Sequence, residues 1–314
     1  MVDPLAQVVE LLQPSAALSK LVLGKGPWRV SRSEEGQPFY CLMLEGTCRM
    51  TVPSQEPVTF GQGDFALIPS AHDFVVSSVS PDNDEIVETA PVQLGPGLYR
   101  LGDREGAPDV RMVVGYCAFA STDAALLVSL LPQLVHIRGE ARLTTLVQLV
   151  NEESRGDRPG RDVILARLIE ILLIEAFRST TGSKASSGLL RGLADQRLAI
   201  ALRHMHERPA HPWTVAQLAK DSGLSRSVFF ERFKRAVGVA PMEYLLHWRM
   251  ALAKDLLRRE RAGIAQVAEN VGYSLASTFS VAFTRVVGVP PTVYARAQRQ
   301  GANPAMRTEA ASVA

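Results

Sequence analysis

The sequence predicts an α+β chain: an N-terminal β-barrel, a helical connector, and a C-terminal all-α domain built from two helix-turn-helix units. Three observations predict it. Two stretches, 215 to 241 and 264 to 291, repeat one another. Short runs rich in Val, Phe, Tyr and Leu, punctuated by Gly, Pro, Asp and Ser, fill 28 to 119, the pattern of a small sandwich or barrel. Between these regions, from about 123 to 178, apolar residues recur at helical spacing.

Taken in order, residues 3 to 13 read as an amphipathic helix with Leu5, Val8, Val9 and Leu12 on one side. Strands are expected at 28 to 31, 39 to 44, 47 to 52, 57 to 60, 65 to 68, 74 to 79 and 111 to 119. Three helical runs follow, around Leu126 to Leu131, Leu143 to Val150, and 163 to 177. In the last, Arg167, Glu170, Glu175 and Arg178 line one side, so the helix is too interrupted to span a bilayer. The three carry more apolar surface than a small barrel covers, and a homodimer contact is expected there, against the alternative that they only cap their own barrel. Residues 179 to 192, STTGSKASSGLLRG, read as a flexible linker, and 301 to 314 as a disordered tail. The expected division is therefore 1–125, 126–178, 179–192, 193–300 and 301–314.

Within the repeats, Ala216, Gln217, Ala219 and Gly223 recur as Ala265, Gln266, Ala268 and Gly272, and Phe229, Phe233, Arg235, Gly238 and Pro241 as Phe279, Phe283, Arg285, Gly288 and Pro291. Thr214 and Ser225 suit N-caps, Gly223 ends the first helix, and Phe229, Phe233 and Val237 fall at i, i+4 and i+8. That is a helix-turn-helix whose second helix keeps one face free for a DNA major groove. An opening helix is expected from Asp195 to Arg208 and a joining helix from Pro241 to Glu260, with Leu245, Trp248, Leu252 and Leu256 as its buried stripe. Arg249 and Lys254 on it suit structural pairing or phosphate contact equally.

Charge divides the same way. The formal net charge is only +2, yet residues 193 to 300 hold 16 Lys and Arg against 8 Asp and Glu, and residues 1 to 192 hold 17 against 23. Only the C-terminal part has the electrostatics of a partner for phosphates. The SGLSRSVFFERFKRAVGVAPMEYLLHWRM run, the Gly272-Tyr273 pair and the FxxxFxxxxGVPPxxY segment ending at Tyr294 resemble the AraC/XylS family of transcription regulators. The segments PFYCLMLEGTCRM and GQGDFALIPSAHDFVV resemble the two halves of a cupin domain of the kind fused to such DNA-binding domains. The resemblance implies a cytoplasmic bacterial regulator that binds double-stranded DNA, contacts RNA polymerase, dimerises, and answers to a small effector or a redox signal.

A cupin raises the possibility of metal-dependent catalysis, which needs three or four convergent N and O ligands. Tyr40 and a Met-Leu-Glu run stand where the first motif would place its histidines, leaving Glu45 and the single His72, so no metal, cofactor or catalytic residue is assigned. A cupin enzyme tethered to DNA, and a nucleic-acid binder without sequence preference, are the competing readings. Tyr40 and His72 are the candidates for touching an effector. Cys41, Cys48 and Cys117 make no even disulfide framework and suggest a reducing compartment; Cys48 reads more readily as a small buried hydrophobe than as a redox thiol. The N-terminus carries no secretory leader pattern.

The expected DNA contacts are Ser225, Arg226, Ser227, Phe230, Glu231 and Lys234 in the first copy, and Ala276, Ser277, Ser280, Val281 and Thr284 in the second. The family's contact positions map onto Ser227, Phe230 and Glu231, with Lys234 better placed for a phosphate. Glu231 can accept from a cytosine amino group, Ser227 can bond several base edges, and Phe230 can pack on a thymine methyl or, instead, on the joining helix. The second copy has no cation on this face. Leu275 takes the cap position, with Ser274 as a substitute cap, and Val281 stands where many relatives have Arg. The first copy is therefore expected to carry most of the base specificity.

Overall fold

The computed structural model describes residues 2–15, 19–32, 37–53, 55–71, 73–79, 88–119, 127–128, 131–156, 158–179, 188–259 and 263–301. The chain divides into two compact units, Leu5–Ala194, and Met1–Pro4 with Asp195–Ala314.

The first unit opens with helix α1 (Pro4–Leu12), one face of which buries Leu5, Val8, Val9 and Leu12 as the spacing requires. Its strands are β1 (Pro14–Ser15), β2 (Ser19–Lys25), β3 (Arg29–Arg32), β4 (Gln37–Glu45), β5 (Cys48–Thr51), β6 (Val58–Phe60), β7 (Phe65–Ala71), β8 (Phe74–Ser78), β9 (Val92–Gly95), β10 (Leu98–Gly102), β11 (Val110–Tyr116), β12 (Ala118–Phe119) and β13 (Val135–Ile137). They pair as a seven-stranded sheet in the order β13-β7-β4-β11-β2-β10-β9, a four-stranded sheet β3-β8-β5-β6, and the ribbon β1-β12. β10 runs parallel to β2, with Leu98 opposite Leu21, whereas β11 runs antiparallel to both β2 and β4.

One apolar core joins the two larger sheets. Alternation supplies it: Phe39, Cys41 and Met43 from β4 meet Cys48 and Met50 from β5 and Phe74 and Val76 from β8. Helices α2 (Ala141–Arg155) and α3 (Arg161–Ser179) pack on one another, and α2 also lies against β2. Their inner faces are Leu143, Val147 and Val150 on α2, and Leu165, Ile169, Leu172, Leu173, Ala176 and Phe177 on α3.

Several expectations need correction. β2, β9 and β10 were not expected: their apolar runs are short and close on Gly24, Gly95 and Gly102 at or beside the strand's last residue. Val135–Ile137 pairs with β7 inside a stretch read as helical. The first connector helix falls mostly outside the described residues, as does the 302–314 part of the tail. The outer side of α3 is not a polar stripe: Val163, Ile164 and Ile171 are exposed beside Arg167 and Arg178, while Glu175 is mostly covered and pairs with Arg142 at 3.4 Å. Residues 180–187 of the expected linker lie outside the described residues, but its end is ordered as helix α4 (Leu189–Ala194), where a Leu-Leu pair is fully buried.

The second unit is all helical: α5 (Gln196–Glu207), α6 (Val215–Asp221), α7 (Arg226–Val237), α8 (Pro241–Arg259), α9 (Ile264–Asn270), α10 (Ala276–Val287) and α11 (Pro291–Gly301). Glu260, the expected end of α8, lies outside the described residues.

Candidate nucleic-acid interface

The first helix-turn-helix is α6 and α7. Thr214 starts α6 with a capping box: its hydroxyl accepts from the Gln217 N–H at 3.2 Å, and the Gln217 side chain accepts from the Thr214 N–H at 3.0 Å. Two otherwise unpaired donors are thereby satisfied. Ser225 caps α7 by accepting from the Val228 N–H at 3.4 Å, and Gly238, left-handed at φ 93°, ends it. Phe229 and Phe233 are fully buried, each contributing about 1.5–3 kcal/mol of hydrophobic stabilisation. Their burial fixes which face of α7 is free.

On that free face Arg226, Ser227, Glu231 and Lys234 are exposed, as is Ser225, while Phe230 is half-buried. Part of the Phe230 ring is therefore packed against protein and part can meet a base. Arg232 instead turns back to the carboxylate of Asp195, which also caps α5 through the amides of Arg197 and Leu198. Arg197 reaches the turn itself, donating to the Gly223 carbonyl at 2.8 Å.

The second unit, α9 and α10, repeats the geometry with Phe279 and Phe283 buried and Gly288 left-handed at φ 86°. Its ends differ. Neither Gly263 before α9 nor Leu275 before α10 makes a side-chain cap, so the Ser274 cap expected from sequence is not formed. The face is also less available. Ser280 donates to the Ala276 carbonyl at 2.8 Å and Thr284 to the Ser280 carbonyl at 2.7 Å, which leaves both hydroxyls only acceptor capacity. Ser277 and Val281 are exposed, Val281 to 71%, and Ala276 is half-buried.

Helix α8 joins the two units and is buried on several sides. At its start His206 of α5 bonds the Tyr244 hydroxyl at 2.7 Å and stacks on Trp248 at 3.9 Å between ring centroids. Burial holds that imidazole down at about 3, so it is neutral. Farther along, the Arg249 guanidinium donates to the carbonyls of Pro209 at 2.7 Å and His211 at 2.8 Å, and its centre lies 6.0 Å from the Tyr273 ring centroid. Gly272 stands at φ +85°, and a Cβ there would lie 2.7 Å from the Ala210 carbonyl oxygen. Gly272 is thus required by packing. Lys254 is buried against the Tyr294 ring at 5.5 Å and drawn down to about 8 by that burial. Arg249 and Lys254 are thus engaged within the fold, which sequence could not decide.

The cupin candidates fall elsewhere. Tyr40 is buried on the face of β4 opposite to Phe39 and Cys41; its hydroxyl bonds Ser19, whose own hydroxyl donates to Asn151 on α2 at 3.3 Å. Parity along the strand turns it away from the core between the sheets, so it is not placed to touch an effector there. His72 lies outside the described residues. Glu45 pairs with Arg111 at 3.3 Å, and among the described residues no three His, Cys, Asp or Glu side chains converge on a metal position. Cys48 and Cys117 are buried, and burial pushes both thiols up to about 12. Few thiolates exist at neutral pH under those conditions. A hydrogen bond that sequence did not single out, His136 Nε2 with the Asp64 carboxylate at 3.1 Å, ties β13 to the turn before β7. Their separation by 72 positions gave no local signal.

The chain matches the cupin family model over residues 3–182 and a helix-turn-helix domain model over 218–297. It is 35% identical over 303 residues to a protein of Streptomyces lividans named an AraC-like transcription regulator, an alignment covering 93% of this chain and 97% of that one. The chain belongs to the AraC-like transcription regulators. A second AraC-like regulator, from Streptomyces antibioticus, is 33% identical over 93% of this chain and 98% of its own length. Among solved structures, the DNA-binding domain of AdpA in complex with a target DNA is 27% identical, covers 33% of this chain and 94% of that one, and gives a TM-score of 0.32. As an AraC-like regulator with a cupin domain, the chain is an α+β protein whose helical part is a DNA-binding domain.

Proposed function

We propose that this regulator binds double-stranded DNA sequence-specifically with both helix-turn-helix units and does so under the control of a small molecule held by its cupin domain. The observation that carries the reading is the pairing of two free recognition faces with one rigid joining helix. Nineteen residues of α8 span about 28 Å, close to the roughly 34 Å between successive major grooves on one side of a duplex. Ser227, Phe230 and Glu231 read bases in the first groove, with Ser225 and Arg226 at the helix start and Lys234 on a phosphate. Ala276, Ser277, Ser280, Val281 and Thr284 follow the second groove by shape and methyl contact.

The exposed Val163, Ile164 and Ile171 on α3 and Leu149 on α2 support a homodimer formed through the connector. Family membership supports contact with RNA polymerase and work in the cytoplasm; among the described residues no helix is long and apolar enough to cross a membrane. No catalytic role is assigned to any residue. The functional division proposed is a sensor over 1–125, a dimerising connector over 126–178 and a DNA reader over 193–300, with the linker expected over 179–192 ending where α4 begins at Leu189. Selection of bound sequences from a random DNA pool by the full chain tests the reading. An enriched motif with two contact patches about one helical turn apart supports it; salt-sensitive binding with no enrichment overturns it.

A further inference from the structure

Between the two larger sheets of the first unit lies a cavity of about 210 Å³. Trp28, Phe39, Phe74, Val76, Leu101 and Met112 form its inner wall, and each is buried. The lining recurs at every second residue on β2, β3, β8, β10 and β11, so the pleat of five strands aims side chains at one space. Nearer its rim stand the half-buried rings of Tyr99 and Tyr116.

Two cations complete the wall, Lys20 on β2 and Arg32 on β3, and among the described residues that line the cavity there is no carboxylate. That runs against the unit's composition, since residues 1 to 192 hold 23 Asp and Glu against 17 Lys and Arg. Lys20 Nζ sits 4.9 Å from the Tyr99 ring centroid. The neighbouring Glu88 is not part of the wall; it is held by the Ser31 N–H at 2.7 Å and the Ser31 hydroxyl at 2.9 Å. An apolar chamber with a few polar groups at one margin is the ordinary form of a small-molecule site, and here both charged groups have the same sign.

We propose that this cavity binds a compact organic monocarboxylate, its apolar body about the size of one substituted ring lying against Trp28, Phe39 and Phe74, and its carboxylate directed to Lys20 and Arg32. The inference rests on the effector-controlled reading above and names the ligand class for it. Size favours one ring as the body of the ligand: an apolar cavity of about 150 Å³ accommodates benzene, and 210 Å³ suits one decorated ring. Charge favours an anion over a neutral ligand: Lys20 and Arg32 are the charged groups on this wall, and Glu88, the nearby carboxylate that acts on Arg32, is held by Ser31 outside it.

The test is calorimetric titration of the full chain with benzoate, phenylacetate and 2-naphthoate, each beside its neutral alcohol, and with laurate. The expected result is binding of at least one aromatic carboxylate ten-fold or more tighter than its alcohol, weakening as salt rises. Lys20→Gln and Arg32→Gln are each expected to weaken it about five-fold, and Val76→Trp, which fills the chamber, to abolish it. The carboxylate-to-alcohol comparison uses the unaltered chain and needs no variant to fold. Equal binding of acid and alcohol, preference for laurate, or no binding of any aromatic carboxylate overturns the proposal. Because this readout contains no DNA, the effector-controlled reading fails separately, when a bound carboxylate leaves DNA affinity unchanged.

Discussion

Asp195 and Arg232 are joined across 37 positions by an ion pair between the N-cap of α5 and the middle of the first recognition helix. One carboxylate therefore closes a helix end and braces the helix that meets DNA. Desolvation opposes ionisation of Asp195, but the Arg232 hydrogen bond and the amides of Leu198 and Arg197 outweigh it and hold the carboxyl below its usual value. A group lowered on folding contributes stability that is present above its unfolded value and is lost as pH falls through the folded one.

Asp195→Ala is accordingly expected to cost about 1 kcal/mol near neutral pH through the lost cap. Urea unfolding followed at pH 7 and again below pH 4 checks this. The difference between variant and wild type should shrink as pH falls through the folded value of the carboxyl, which lies below its usual one.

His206 acts with the same sign from a different cause. Burial holds it at about 3, below the roughly 6.5 of an unfolded chain, so the unfolded state takes up the proton first. Stability should fall by about 2 kcal/mol between neutrality and pH 5. Melting curves of wild type and His206→Phe against pH should diverge in slope there, the variant being flatter; parallel curves would contradict the assignment.

Gly272 and Gly223 hold equivalent turns with unequal surroundings. A Cβ at Gly272 meets backbone at Ala210 and the Arg249 guanidinium, whereas one at Gly223 meets nothing within 4 Å. Gly223→Ala should cost about 1–2 kcal/mol from the left-handed backbone alone, and Gly272→Ala clearly more. Denaturant midpoints rank the two directly.

Cations that look alike in sequence should separate in salt titrations of DNA binding. Lys234→Gln is expected to reduce the slope of log K against log salt by about one. Arg249→Gln should leave that slope in place while lowering the melting temperature, since its guanidinium is spent on the Pro209 and His211 carbonyls.

Base readout should be unequal between the two units. Substituting Ser227 and Glu231 is expected to broaden the selected DNA motif more than substituting Ser277 and Val281, because the second face offers a methyl surface and hydroxyls turned inward. Position-by-position information content in the selected sequences measures it.

The helix-turn-helix pair was legible because its information is local: caps, a turn glycine and two Phe at i, i+4 state a helix and its buried face within a dozen residues. Exposure of Ser227, Glu231 and Lys234 followed from that parity alone. The β-rich unit was only partly legible. Strands such as Phe74–Ser78 announce themselves by alternation, but Ser19–Lys25 does so only when β10 and β11 flank it. Tyr40 shows the limit: β4 is buried on both faces, so hydrophobicity marks the strand without telling which side faces the other sheet. The cavity was not legible at all, since its walls come from strands up to 96 positions apart that share no motif.

The strand order sets a schedule for synthesis. β2 leaves the ribosome early, yet the strands on its two sides, β10 and β11, are made roughly eighty residues later. At about 5–20 residues per second the growing chain must keep an apolar strand uncommitted for several seconds. The DNA reader, whose units close over short stretches of chain, has no such wait. A nascent chain stalled before residue 98 should therefore be the species most in need of a chaperone.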